Sequence, residues 1–73
     1  MDEEAINMQI RKSLKHFGVT AQQEVEKALR EGLEDGSLKG DEKLKVRMRL
    51  EVETLPVDHT IEGELDLSAR SSE

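Results

Sequence analysis

The sequence of 73 residues contains no cysteine, tryptophan or tyrosine, and it has only one phenylalanine, Phe17, and one proline, Pro56. The lack of cysteine excludes disulfide bonds and zinc sites built on thiolates. Aliphatic side chains must therefore supply nearly all apolar burial, at roughly 1.5–3 kcal/mol for each side chain that is fully covered. Because a chain this short buries only about 60% of the surface that it exposes when unfolded, we expect one small domain with a thin core.

Long hydrophobic runs are also absent, and no segment approaches the roughly 20 apolar residues that a membrane span requires. The segment from Asp2 to Glu4 is acidic, whereas a secretion signal would be basic at this point. The formal net charge is -6, from 17 acidic and 11 basic side chains. This balance disfavours non-specific binding to phosphate backbones or anionic lipid. We therefore expect a soluble cytoplasmic protein that does not contact membranes.

The first third of the chain has the pattern of an amphipathic helix, which we predict from Asp2 or Glu3 to Phe17. Its apolar residues recur at spacings of four, four and three, at Ile6, Ile10, Leu14 and Phe17. Acidic residues lie in the first turn and basic residues in the last turns, as the helix dipole favours. Gly18 then offers the left-handed position at which helices commonly end.

A second helix is predicted to start at Thr20. Thr20 and Gln23 have the spacing of a Thr-x-x-Gln capping box. The apolar residues of this segment are Ala21, Val25, Ala28, Leu29 and Leu33. The helix should end near Asp35-Gly36. Because only two residues separate the helices, we expect a helical hairpin or a helix-turn-helix corner.

After a short connector the period of the apolar residues changes from about 3.6 to 2, which is typical of β-strands. The alternating positions of the first run are Leu44, Val46, Met48, Leu50 and Val52, and those of the second are His59, Ile61, Gly63, Leu65 and Leu67. Pro56 lacks an N–H group and would be costly inside a paired strand. The pattern predicts a β-hairpin with a four-residue loop at residues 54–57.

Charge favours one register of this hairpin. It sets Arg49 opposite Glu62, Arg47 opposite Glu64 and Lys45 opposite Asp66. On the apolar face the same register sets Val52 opposite His59, Leu50 opposite Ile61, Val46 opposite Leu65 and Leu44 opposite Leu67. We expect these opposite charges to align the two strands.

The predicted fold class is α+β, with two N-terminal amphipathic helices packed on one face of a C-terminal two-stranded antiparallel β-hairpin. Residues 1–67 would form a single domain, and residues 68–73 a disordered polar tail. The predicted core joins two sets of side chains. They are Ile6, Ile10, Leu14, Phe17, Val25, Leu29 and Leu33 from the helices, and Val46, Met48, Leu50, Ile61 and Leu65 from the hairpin.

The sequence lacks the common motifs of catalysis and phosphate binding. The sequence has two histidines. His16 is interpreted as a residue that complements the end of a helix, and His59 as a residue at the end of a strand, although Asp58-His59 has the residue types of an acid-base or metal site. The carboxylates that alternate along the second strand are typical of a solvated face. The sequence therefore predicts that the protein is not an enzyme and has no catalytic, cofactor-binding or metal-binding residues.

Two hypotheses of function remain. A row of basic residues lies on and before the first strand: Lys39, Lys43, Lys45, Arg47 and Arg49. In the first hypothesis the protein is a nucleic-acid-associated regulator that binds phosphate through this row and also uses the helix pair. Acidic residues of the facing strand would neutralise this row, and aromatic residues for base stacking are absent. The sequence favours a non-catalytic protein-interaction or small assembly module without a small-molecule substrate. Its partner would be another protein, or a second copy in a homodimer through the hairpin edge.

Five short segments carry a resemblance to a known family: NMQIRK at 7–12, GVT at 18–20, QQEVE at 22–26, LKG at 38–40 and EGEL at 62–65. Together they resemble a family of small bacterial proteins of unknown function. The resemblance spans nearly the whole chain and implies one compact domain in a bacterial cytoplasm. It implies no activity.

Overall fold

The computed structural model describes residues 1–69 and contains one long helix followed by two antiparallel strands. Helix α1 is Glu3–Glu34, strand β1 is Lys43–Glu51 and strand β2 is Asp58–Asp66. The chain divides into two compact units, a helix unit of residues 1–37 and a hairpin unit from residue 38 onward. The α+β class is confirmed. The packing of the helical segment on one face of the hairpin stays a prediction.

The two ends of α1 agree with the sequence pattern. Asp2 is the N-cap, and its Oδ1 accepts hydrogen bonds from the backbone N–H groups of Glu4 at 3.1 Å and Ala5 at 3.3 Å. These bonds satisfy donors that have no partner within the helix. At the other end Asp35 is the C-cap, and Gly36 follows with a φ of 82°, a left-handed conformation that glycine adopts at little cost.

The prediction of two helices is wrong, because α1 continues without a break through Gly18, Val19 and Thr20. Glycine inside a helix costs about 1 kcal/mol relative to alanine. A break at Gly18 would instead leave backbone groups on both sides without helical partners. The apolar spacing also stays in phase across Gly18, since Phe17 and Ala21 are four residues apart. The capping box at Thr20 is therefore not used.

The hairpin has the strands and the faces that the alternation predicts. In the ladder Leu44 lies opposite Leu65, Val46 opposite Gly63 and Met48 opposite Ile61, so the apolar positions of both strands share one face. The Leu67 N–H donates to the Glu42 carbonyl at 2.9 Å and extends the pairing beyond the strand ends. Ser68 forms a turn in which its N–H and hydroxyl both donate to Asp66 Oδ1. Of the tail predicted at 68–73, residues 70–73 lie outside the described residues.

The predicted register is wrong by two residues. Arg47 lies opposite Glu62 rather than Glu64, Lys45 lies opposite Glu64 rather than Asp66, and Arg49 lies opposite Thr60. On the apolar face Leu50 pairs with His59, where the sequence predicted Val52. The faces are unchanged because a slip of two residues preserves them.

Turn geometry explains the slip, since the loop has six residues, 52–57, instead of four. The Leu55 N–H donates to the Val52 carbonyl at 3.2 Å and closes one turn, and the Val57 N–H donates to the Leu55 carbonyl at 2.8 Å and closes a second turn around Pro56. Thr54 has a φ of 65°, which is uncommon for a β-branched residue. The two successive turns make the loop two residues longer than predicted, and the register shifts by the same two residues.

Neither unit by itself covers its apolar side chains completely. Among residues 1–69 no hydrophobic side chain is fully buried. Of the predicted core residues, Val25, Leu29, Val46, Leu50 and Leu65 are half-buried, whereas Ile6, Ile10, Leu14, Phe17, Leu33, Met48 and Ile61 are exposed. The contact between the helix face and the hairpin face, from which the sequence built its core, stays a prediction.

Candidate interaction surface

The N-terminal half of α1 carries a row of exposed apolar side chains, here named the helix stripe: Ile6, Ile10, Leu14 and Phe17. Their exposed fractions are 37%, 49%, 53% and 51%. Spacings of four, four and three residues place all four on one side of a helix, over a length of about 16 Å. The sequence identified these residues as one face but assigned that face to the core.

Charged residues divide the helix around this stripe into an acidic and a basic part. Asp2, Glu3 and Glu4 lie at the start of α1, and Arg11, Lys12 and Lys15 lie two to three turns later. Within the described helix unit, residues 1–37, no ion pair joins charges of opposite sign. The charge along α1 therefore changes from negative at its first turn to positive from Arg11 to Lys15.

The hairpin presents a different surface, a charged face on which opposite charges neutralise each other. Arg47 Nε lies 3.2 Å from Glu62 Oε2, directly across the ladder. Arg49 forms a bidentate contact with Asp58, in which Nε lies 3.0 Å from Oδ1 and Nη2 lies 2.9 Å from Oδ2. Arg49 Nε also lies 3.2 Å from Glu51 Oε1. Arg47 and Arg49, two residues of the basic row predicted from the sequence, thus form ion pairs with carboxylates of the same hairpin.

The connector between helix and hairpin is organised by Glu42, a residue that no sequence pattern had indicated. Its carboxylate accepts backbone N–H groups from Lys39 at 2.9 Å, Gly40 at 2.9 Å and Asp41 at 3.2 Å. The bond from Lys39 and then that from Gly40 lower the pKa of Glu42 below its ordinary value, because they favour the charged carboxylate. Gly40 has a φ of 103°, which allows the chain to wrap around the carboxylate. An acidic residue two positions after a glycine was the signal available in the sequence.

This contact predicts a pH dependence. A carboxylate whose pKa is lower in the folded than in the unfolded state contributes stability above the unfolded pKa, and loses that contribution as the pH falls through the folded pKa. Urea midpoints should therefore be higher for the native chain than for Glu42→Gln near neutral pH, and the difference should shrink on acidification below the ordinary glutamate pKa of about 4.3. Equal midpoints at neutral pH would contradict the role given to Glu42.

The two histidines lie at separate places in the fold. His16 is an exposed helical residue whose ring centroid is 6.1 Å from that of Phe17. His59 lies in β2 opposite Leu50, beside Asp58, and the Asp58 carboxylate is held by Arg49. Within the part of the chain that the structure describes, no group of three or more His, Asp or Glu side chains is placed to hold a metal ion. The absence of catalytic, cofactor-binding and metal-binding residues stays a prediction.

Shallow depressions occur on both units. One on the hairpin is lined by Lys45, Glu62, Gly63 and Glu64, and one on the helix by Glu4, Asn7, Met8 and Arg11. Both depressions are open to solvent, and the charged side chains that line them are exposed. Across residues 1–69, α1 is not apolar enough over any 18-residue stretch to span a membrane.

A long amphipathic helix with an exposed stripe, followed by a charge-paired two-stranded hairpin, defines this molecule as a small α+β protein. Residues 1–68 match the model of a family of unknown function (DUF6494), and the chain belongs to that family. The resemblance to a small family of unknown function is thereby confirmed. No curated protein and no solved structure is similar enough to the chain to be matched.

Proposed function

We propose that the protein is a non-catalytic protein-interaction module that binds through the helix stripe. The observation that carries this proposal is the exposure of four large apolar side chains on one side of α1. Contiguous exposed apolar patches bordered by charge are typical of interaction surfaces in soluble proteins. A single helix has no second element within its own unit to cover such a stripe. The cytoplasmic location stays a prediction from the sequence.

The charges of the hairpin favour the helix stripe over the hairpin edges as the interaction surface. Two copies joined antiparallel through β1 around Arg47 would set Arg47 against Arg47, and Lys45 against Arg49. Joining through β2 would set Glu62, Glu64 and Asp66 against one another. Like charges directly opposite in a ladder are destabilising.

The same pairing weakens the nucleic-acid alternative. Arg47 and Arg49 are held by Glu62, Glu51 and Asp58, so contact with phosphate would require these ion pairs to open. The chain is acidic overall and offers no tyrosine or tryptophan for base stacking. No feature of the described hairpin specifically favours this function.

The proposal is tested by the size of the particle that contains the protein in a lysate of its native cell. By size-exclusion chromatography at native expression level, the wild-type chain is expected to elute well above its monomer mass of 8.3 kDa. Leu14→Glu should move it to the monomer position, because a charge in the stripe would have to be desolvated on binding. Gln23→Glu adds the same charge on the opposite side of α1 and should leave the elution unchanged.

Circular dichroism of the purified variants provides the control for folding, and both should keep the helix content of the wild type because Leu14 is already 53% exposed. A wild-type chain that elutes as a monomer in the lysate would overturn the proposal. So would a Leu14→Glu variant that stays in the larger particle.

A further inference from the structure

We propose that the hairpin is a two-state element, in which the observed register exchanges with a second register displaced by two residues. The observed one is here named the major register. The second, named the slipped register, sets Arg49 opposite Glu62 and closes a four-residue loop at 54–57. This inference concerns the hairpin unit alone and does not depend on the function proposed for the helix stripe.

The two registers are matched in charge. The ladder of the major register has three opposite-charge pairs and one like-charge pair beside the loop: Lys43 with Asp66, Lys45 with Glu64, Arg47 with Glu62, and Glu51 with Asp58. The slipped register has the same balance: Lys45 with Asp66, Arg47 with Glu64, Arg49 with Glu62, and Glu53 with Asp58. Because the slip equals the period of the charge pattern, cross-strand charge does not penalise it.

The apolar face is also kept, and the slipped register pairs it more completely. In the major register Val46 lies opposite Gly63, which has no side chain to pack. The major register has two pairs of large apolar residues, Leu44 with Leu65 and Met48 with Ile61, and the slipped register has three, Leu44 with Leu67, Val46 with Leu65 and Leu50 with Ile61. Val52, which is 40% exposed, also joins the ladder. Since cross-strand pairs stabilise sheets, the slip gains one apolar contact.

The loop holds the major register, and it does so with a strained residue. The slip would open the bonds from the Leu55 N–H to the Val52 carbonyl and from the Val57 N–H to the Leu55 carbonyl, together with the bond that extends the ladder at Leu67. Against these bonds stands the φ of 65° at Thr54, a conformation that is costly for a β-branched residue. The opposing contributions are of similar size, which is the condition for a populated minor state.

The slip has a definite structural result. It moves β2 along β1 by about 7 Å, because each residue of an antiparallel strand rises about 3.4 Å. The apolar face then extends by Val52 toward the loop, and the loop shortens from six residues to four. A binding partner that contacts only one of the two arrangements would shift the population toward it.

Thr60 is the position that separates the two registers most sharply. It lies opposite Arg49 in the major register and would lie opposite Glu51 in the slipped one. Thr60→Lys sets two like charges together in the major register and forms an opposite-charge pair in the slipped register. We expect it to raise the population ratio of slipped to major register about fivefold. Thr60→Glu reverses both effects at the same exposed position, so this matched control should lower the ratio about fivefold.

Nuclear magnetic resonance of the full chain measures both states. The bond from the Leu67 N–H to the Glu42 carbonyl places the apolar residues in the hydrogen-bonded pairs. The charged face therefore has the closer non-hydrogen-bonded pairs, with Cα atoms about 4.5 Å apart. A cross-strand Hα contact from position 60 to Arg49 reports the major register, and one to Glu51 reports the slipped register. Chemical exchange saturation transfer should detect a second state with strand-like shifts, at roughly 1–10% in the wild type.

Three results would overturn the proposal. They are a single state in both the wild type and Thr60→Lys, a second state with the shifts of an unfolded chain, and equal populations of the second state in the two Thr60 variants. Glu51→Lys provides a test that does not destabilise the major register, because it replaces the like-charge pair with Asp58 by an opposite-charge pair. It should lower the population of the second state about fivefold, and an unchanged population would also overturn the proposal.

Discussion

Replacing Ala21 with proline is expected to destabilise the helix by about 3 kcal/mol or more. Ala21 lies in the interior of α1, where its N–H group belongs to the continuous ladder of bonds between residues four apart. Proline removes that donor, and its ring collides with the preceding turn. If a new helix began after a cap at Thr20, Ala21 would instead be its first residue, where proline is well tolerated. The same substitution thus separates one helix from two.

Far-UV circular dichroism during urea denaturation measures the effect, as a loss of helix content and a lower midpoint. Gly18→Ala is the companion variant and should raise stability by about 0.5–1 kcal/mol, since alanine favours a helix interior and, apart from the neighbouring helix backbone, a Cβ at this position would meet no atom within 4 Å. A chain that tolerates Ala21→Pro and is weakened by Gly18→Ala would show that the helix ends at Gly18.

Arg49→Ala is expected to destabilise the hairpin by about 1 kcal/mol, more than Arg47→Ala does. The register sets Glu51 directly opposite Asp58, two like charges in one pair. Arg49 contacts both carboxylates, at 3.2 Å and 2.9 Å, and its removal leaves their repulsion without compensation. Arg47 contacts one carboxylate, that of Glu62, and serves as the matched control.

Thermal denaturation at low and high salt measures both effects. The penalty of Arg49→Ala should shrink with added salt, because screening weakens the repulsion between exposed carboxylates. Asp58→Asn introduced together with Arg49→Ala should recover most of the loss, since it removes one of the two like charges. A penalty that does not depend on salt would indicate that the aliphatic stem of Arg49, rather than its charge, stabilises the strand.

Charge alone did not predict the register of this hairpin, and the reason is visible in the ladder. Basic residues alternate along β1 and acidic residues along β2 with the same period of two. A slip of two residues therefore exchanges one set of opposite-charge pairs for another, from Arg47 with Glu64 to Arg47 with Glu62. The difference in energy between the two sets is small, because each exposed pair contributes only about 0–1 kcal/mol. The loop around Thr54 and Pro56 then decides the alignment.

The candidate surface was predictable only in part. The spacing of Ile6, Ile10 and Leu14 identifies a face of a helix, because that pattern is local. Whether a face becomes core or surface depends on which elements lie against it, and no spacing within one helix contains that information. The role of Glu42 was missed for a similar reason, since it depends on how the backbone from Lys39 to Asp41 folds around the carboxylate.

The sequence by itself determined the types of elements, both ends of α1 and the two faces of the hairpin, since periodicity and capping act over a few neighbouring residues. Only the tertiary structure decided that the helix continues through Gly18 and that the register follows the loop. At Gly18 and in the loop, competing local signals differ by about 1 kcal/mol, and the balance depends on backbone bonds that only the complete helix and hairpin contain.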